Sequence, residues 1–166
     1  HTLFDLSKEF NATVDREPIL KIFKFALLGQ MFIRSFFFVK KRGNGEPELL
    51  VMNGLKSAPD PTCLRQLLTI TESTIRVGDR LRQDIPLLQE NQIEAMVTLR
   101  LQDEFAILGV GKRATSEPYT DSDFNFLSSL GNLALLSIQK TLLLQERIEK
   151  ERLEEELSIA RTIQEK

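Results

Sequence analysis

A chain of 166 residues, 42% of them hydrophobic, is long enough for one domain with a real core plus an extension, and eleven Phe with no Trp supply much of that core. Twenty-two basic residues nearly cancel 24 acidic ones, so the charge balance gives no footprint for nucleic acid. Cys63 is the only cysteine, which excludes an internal disulfide and fits a reducing cytoplasm.

No apolar run is expected to reach the length of a membrane span, and no signal peptide is visible. The chain begins with His1 rather than Met and ends in an open helical pattern, so both ends are expected to be cut from a longer protein.

Leu3, Leu6, Phe10 and Val14 recur at helical spacing and predict a first amphipathic helix over residues 2–14. Asp15 is placed to cap a second helix, with Pro18 in its first turn and Ile19, Ile22, Phe23, Ala26 and Leu27 as its apolar stripe. Ile33–Lys41 reads as a strand, since Phe36, Phe37, Phe38 and Val39 have high β-propensity. Gly43-Asn44-Gly45 is a turn, and Leu49–Asn53 is the returning strand of a hairpin.

The middle of the chain is less regular. Pro59 and Pro61 mark a loop, Leu64, Leu67 and Leu68 a short helix, Ser73–Val77 a short edge strand, and Arg82–Asn91 another short helix restricted by Pro86. Ile93–Leu101 is a strand with Ala95, Val97, Leu99 and Leu101 on one face and Met96, Thr98 and Arg100 on the other. A tight hairpin at Gln102-Asp103-Glu104 leads into the apolar run Phe105–Val110, a strand buried on both faces. Gly109 and Gly111 share a face there and admit the close approach of backbone or ligand.

A last helix begins after a polar loop. Thr120 and Asp123 stand at capping-box spacing, and Tyr119 and Phe124 at the positions of a hydrophobic staple. No Pro interrupts the pattern from Asp121 to about Ile163. Its first half carries two apolar stripes. One holds Phe124, Leu127, Gly131, Leu135, Ile138 and Leu142; the other holds Phe126, Leu130, Leu133 and Leu136. From Gln145 onward the composition changes, with 12 charges in the last 22 residues and a favourable i,i+4 pair at Glu146 and Lys150. Ile148, Leu153, Leu157, Ala160 and Ile163 persist as an imperfect seam.

The glycine-containing strand, Lys112-Arg113, the short loop, Pro118-Tyr119-Thr120, Asp121-x-Asp123-Phe124 and the long apolar helix together resemble the end of a GAF sensory domain. Another sheet-and-helix sensor fold, such as PAS, is the alternative. The resemblance covers roughly residues 2–142 and leaves 143–166 as a signalling coiled-coil helix leading to an output domain. It implies an α+β fold: a central antiparallel sheet, helices on one side that join a homodimer through the first and last helices, and a ligand pocket on the other side. The region Asn53 to Arg100 is then where a small molecule is expected, in a cavity between the sheet and residues 55–91.

Chemistry finds little purchase. His1 is the only histidine, so no His-based triad or multi-His metal site is available in the fold, and Cys63 has no companion. GAF-type methionine sulfoxide reductases use several cysteines. Bilin-binding relatives attach the chromophore through a cysteine usually followed by histidine, whereas Leu64 follows Cys63 here. Haem would need an axial ligand and internal histidine is absent, and the Asn-Lys, Phe, Asp-Glu signature of cyclic-nucleotide binders is not matched. No cofactor is identifiable. Arg34, Asn53, Arg76, Thr98 and Arg100 are polar groups in or beside strands that would orient a polar or anionic ligand, or else face solvent.

The segment LEEELSIARTIQEK, with Ala160-Arg161-Thr162-Ile163-Gln164 in it, resembles the connector into the catalytic domain of bacterial serine phosphatases of the sporulation and stress-regulator class, related to type 2C phosphatases. That match covers about 14 residues, none of them a metal-site aspartate. Two functions therefore stand: a cytoplasmic, dimeric small-molecule sensor controlling an output such as a phosphatase, histidine kinase or diguanylate cyclase, or a ligand-free dimerisation scaffold. An accessible cavity with convergent polar groups favours the first, and a cavity packed shut by Phe and Leu the second. The fragment itself is not expected to be an enzyme.

Overall fold

The computed structural model describes residues 2–164. The chain order is α1 (Leu3–Asn11), α2 (Arg16–Gln30), β1 (Phe36–Arg42), β2 (Glu48–Asn53), α3 (Pro61–Leu67), β3 (Thr74–Arg76), α4 (Asp79–Asp84), α5 (Pro86–Glu90), β4 (Ile93–Leu101), β5 (Glu104–Gly111) and α6 (Asp121–Gln164). The five strands form one antiparallel sheet in the order β2-β1-β5-β4-β3. This is the expected α+β architecture.

Strand alternation sorts the core into two layers. Phe36, Phe38, Ala95, Val97, Leu99, Ala106, Leu108 and Val110 pack against α1, α2 and α6. Phe37, Val39, Ile93, Met96, Phe105 and Ile107 pack on the opposite, distal face against α3, α4 and α5. Phe23 of α2 stacks on Phe38 at 4.7 Å and meets Phe36 edge-on at 6.2 Å, an arrangement that suits the ring quadrupoles.

Local chemistry sets the helix ends. Thr2 and Asp5 make a capping box on α1, each side chain accepting from the other's backbone N–H at 3.2 Å. The helix stops at Asn11, short of Val14, which is exposed. Asp15 occupies the N-cap position of α2 without a side-chain capping bond. β1 starts at Phe36 rather than Ile33, which makes only an isolated bridge to Arg113. The chain bends before it: Phe32 has φ 57°, and the Arg34 carbonyl accepts from the Asn53 side chain instead of a ladder partner. The single helix expected over Arg82–Asn91 is two helices. Pro86 has no N–H and disfavours the helical region for the residue before it, so Ile85 is extended at φ −126°, ψ 92°.

α6 is one helix of 44 residues, about 66 Å long at 1.5 Å per residue. Thr120 and Asp123 close a capping box (Thr120 N to Asp123 at 2.8 Å, Asp123 N to Thr120 at 3.2 Å), and Tyr119 packs on Phe124 at 6.4 Å between ring centroids. The buried face runs through Phe124, Leu127, Gly131, Leu135 and Ile138 of the first stripe, joined by Leu130 and Ala134, whereas Leu142 at the end of that stripe is exposed. Of the second stripe, Phe126 and Leu133 are partly buried and Leu136 is 51% exposed. Among the described residues, Thr141 is the last buried one.

One sequence expectation needs correction. α6 contains an 18-residue window of mean hydropathy 1.2, long and apolar enough to span a membrane by composition. Half of that window is buried inside the domain, where its apolar side chains cover the sheet.

Gly131 sets how closely α6 lies on the sheet, because a Cβ there would collide with Cδ1 of Leu99 in β4. Leu99 is itself buried and has little room to turn away. Gly131→Val is expected to destabilise the domain by about 1–3 kcal/mol despite its better helix propensity, read as a lower urea midpoint.

Candidate functional site

The distal face is where a ligand cavity is expected, and side chains fill it. Phe37 of β1 is paired directly with Gly109 of β5, and the Phe37 ring occupies the space that a Cβ on Gly109 would take. Gly111 is likewise approached by the side chain of Ser35. What comes close to both glycines is thus the neighbouring strand, as in the aromatic rescue of a sheet glycine. Leu64 and Leu67 of α3, Leu68, Ile85, and Leu87 and Leu88 of α5 close the layer over Phe37, Met96 and Ile107.

The hollows on this side lie at the rim. One of about 200 Å³ opens between α3 and α5, beside Asp60, Cys63, Gln66, Leu87 and Glu90. The Cys63 thiol there is pushed up to about 11 from an ordinary 9.0, first by burial and then by the Asp60 and Glu90 carboxylates. A second hollow of about 340 Å³ sits at the hairpin end of the sheet, against Lys41, Asn44, the residues 68–71 and Arg100.

The five polar residues singled out in the sequence do not converge. Arg34 and Asn53 meet at the end of β2, where Asn53 Nδ2 donates to the Arg34 carbonyl at 2.8 Å and fixes the bend before β1. Arg76 lies on the edge strand β3 and turns to the helix layer. It donates to the Tyr119 carbonyl at 2.6 Å, stands 3.7 Å from Asp121 and covers the Phe124 ring. Thr98 donates to the Glu72 carbonyl at 2.6 Å and ties the segment before β3 to the sheet. Arg100 lines the hollow at the hairpin end and also borders the groove between α1 and α6.

Sequence reasoning missed the joint at the start of α6. Arg113 donates to the Met31 carbonyl at 3.0 Å and to Asp123 at 2.9 Å, and lies over the Tyr119 ring. The Tyr119 hydroxyl donates to the Gly111 carbonyl at 2.6 Å, and burial holds its pKa well above the ordinary 10. The signal available was that the chain's single Tyr stands next to the Thr120 cap.

Two outcomes follow from this packing. Phe37→Ala is expected to cost about 3–5 kcal/mol, seen as a lower urea midpoint with an unchanged slope, because it empties the space above Gly109. Cys63 is expected to alkylate slowly, with about a hundredfold less thiolate near neutral pH than an ordinary cysteine. Its rate in the folded protein rises about tenfold per pH unit up to pH 10, and iodoacetamide kinetics measure this.

By sequence, no family model matches the chain and no curated protein does. By structure, three similar folds stand out. Residues 122 to 287 of a methyl-accepting chemotaxis protein align with a TM-score of 0.59 at 11% identity, covering 84% of this chain and 98% of that one. The GAF domain/HD domain protein from Geobacter sulfurreducens aligns at 0.56 and 13% identity, covering 86% and 99%. GAF3 from Slr1393 of Synechocystis sp. PCC6803, in its photoproduct state, aligns at 0.52 and 14% identity, covering 79% and 98%. With its five-stranded antiparallel sheet between two helical layers, the chain has a GAF-like fold.

Proposed function

We propose that this chain is a regulatory module of a bacterial, cytoplasmic signalling protein, and that it works as a parallel homodimer in which α6 carries the signal. One observation carries the reading. The apolar residues of α6 continue past Thr141, where the domain has nothing to cover them: Ile148, Leu153, Leu157 and Ile163 are 58%, 48%, 59% and 68% exposed. A charged helix with such a row is stabilised by a second helix. The apolar surface also reaches back onto the body, where Phe4 of α1 is 67% exposed and Leu136 of α6 51%. Both line a groove of about 560 Å³ between the two helices. Parallel alignment brings these residues of two copies together along with the seam, whereas antiparallel alignment leaves them bare.

The seam is irregular in a useful way. Leu142 and Leu153 are eleven residues apart, and Leu153, Leu157 and Ala160 follow at spacings of four and three. An eleven-residue interval inside a heptad pattern unwinds the left-handed supercoil locally. Two registers of similar energy at that point suit a rotary or scissoring output. The output we propose is a metal-dependent serine/threonine protein phosphatase, on the resemblance of Ala160–Gln164 and its flanks to the connector of that class; a histidine kinase or diguanylate cyclase is the alternative. We assign no catalytic step to the fragment itself, and it should leave phosphoserine peptides intact with or without Mn²⁺.

The packed distal face favours a second reading for its interior, a scaffold without a ligand beneath α3–α5, since Phe37 takes the space beside Gly109. Sedimentation equilibrium tests the assembly common to both readings. The full fragment is expected to be a dimer, the Leu153→Lys/Leu157→Lys variant and a fragment ending at Thr141 to associate more weakly. A monomeric full fragment overturns the pairing. In a protein carrying an output domain, deleting four residues near Ile148 should change output while leaving the domain folded; unchanged output would mean that the helix is only a tether.

A further inference from the structure

Five cationic side chains lie in the strands: Lys40, Lys41, Arg42, Arg76 and Arg100. Three are neutralised. Lys40 reaches Glu104 at 3.0 Å, Arg42 stands 3.7 Å from Asp103 and 3.5 Å from Glu104, and Arg76 stands 3.7 Å from Asp121. Lys41 and Arg100 have no acidic partner among the described residues.

These two are also not scattered. Lys41 pairs with Phe105 in the β1–β5 ladder, and Phe105 pairs with Arg100 in the β5–β4 ladder. The three make one rung of the sheet on the distal face, a cation on each side of a buried aromatic ring. The Arg100 guanidinium carbon stands 5.0 Å from the centroid of the Phe105 ring. A cation over a ring face is attracted by the ring and keeps its N–H groups available as donors.

The rung forms one wall of the 340 Å³ cleft at the hairpin end, a volume within the range of small-molecule sites. The loop ending at Thr71 forms the other wall, and the turns at Asn44 and Gln102 form the rim. Two acids also border the cleft. Asp103 is engaged by Arg42. Glu104 shares the alternation of Ala106 and Leu108, so its carboxylate turns to the helix face, where Lys40 holds it.

We propose that this cleft binds a compact dianion, a phosphate-bearing or dicarboxylate small molecule, between Lys41 and Arg100, with Asn44 and Thr71 as neutral donors. The roots of the two cations are two strand spacings apart, about 10 Å, and both side chains are long enough to converge above the ring or to hold the two ends of a short ligand. The occupied cleft is read by α6. Gln102 on its rim accepts a hydrogen bond at 2.8 Å from Nε2 of Gln139, a buried residue two positions before Thr141. An anion that tightens this hairpin is felt where the helix leaves the body. That relay rests on the signalling reading; the binding itself does not.

The test is an amide NMR titration of the intact fragment with inorganic phosphate and, separately, with succinate, at ionic strength held constant with sodium chloride. Saturable shifts are expected at Lys41, Arg100 and Gln102 with at least one of the two probes; phosphate alone would identify the phosphate-bearing source, succinate alone the dicarboxylate. Lys41→Gln and Arg100→Gln should each weaken that binding about tenfold or more, the loss of one charge-assisted contact. Arg34→Gln, an exposed cation away from the cleft, should leave it unchanged. The spectra report folding of every variant. Shifts that never saturate, or that are equal in all variants, reflect general anion exclusion and overturn the site. At saturation the amides of Gln139 and of residues 142–146 should move, and Gln139→Ala should bind equally well while the shifts at 142–146 disappear; a Gln139 signal that stays still overturns the relay alone. Sedimentation is unaffected by either result, so the site and the dimer fail separately.

Discussion

The seat of α6 on the sheet is the contact on which the rest depends. The helix contributes Leu127, Leu130, Ala134, Leu135 and Ile138 to the helix-face core, and it reaches that core only because Gly131 lets its backbone come down onto Leu99. Its start is pinned as firmly as its middle. Arg113 links the end of α2, through the Met31 carbonyl, to Asp123 in the first turn of α6, while Tyr119 ties the same turn to the end of β5. The Arg113 and Asp123 side chains are 11% and 20% exposed, so this pair is screened less than the surface pairs elsewhere. A helix fixed at its cap and along five core positions leaves the domain at a defined point and in a defined direction.

Much of that arrangement is legible in the sequence, because its signals are local. Thr120 and Asp123 at capping-box spacing, Tyr119 and Phe124 at staple spacing, and the alternation of β4 each describe contacts within a few residues, and each is present. Pro86 was legible too, but its effect is stronger than a restriction: it divides one helix into α4 and α5. The interior of the distal face was not legible. Gly109 announces that something approaches closely but not what. The answer depends on strand register, which puts Phe37 rather than Val39 opposite it, and a shift by one residue would turn Phe37 to the other face.

The same limit hid the charged rung. Arg100 and Phe105 face each other across the short β4–β5 hairpin, but Lys41 is about sixty residues away in sequence, and only the β1–β5 register sets it beside them. Four of the five polar residues picked from strand neighbourhoods serve the fold itself: Asn53 and the Arg34 carbonyl hold a bend, Thr98 holds a loop, and Arg76 covers the start of α6. Strand polarity alone does not separate a group that satisfies a neighbour's backbone from one that is left for a ligand. The separation lies in what each group bonds to, and that is set by the fold.

Beyond Thr141 the physics of the helix changes. Up to that residue, burial against the sheet holds the backbone; after it, the helix has only propensity and a few exposed ion pairs, Arg147 with Glu151 at 3.3 Å and Arg152 with Glu149 at 2.6 Å. Such pairs are worth a few tenths of a kcal/mol each, and isolated helices of that length are marginal in water. On the proposed pairing, the order of the free half is coupled to association with another helix, whereas the order of the first half is not. This asymmetry makes the junction at Gln139 to Leu142 a natural point of control. In the proposed dimer, a change in how the body holds the helix there alters which residues of the seam face the partner. The buried polar run at this point, with Gln139 bonded to Gln102 and Thr141 Oγ1 to the Ile138 carbonyl at 2.7 Å, replaces the apolar packing of the preceding turns by directional bonds. The Thr141 bond stays within the helix, so of the two only the Gln139–Gln102 bond ties the phase of the helix at this point to the β4–β5 hairpin.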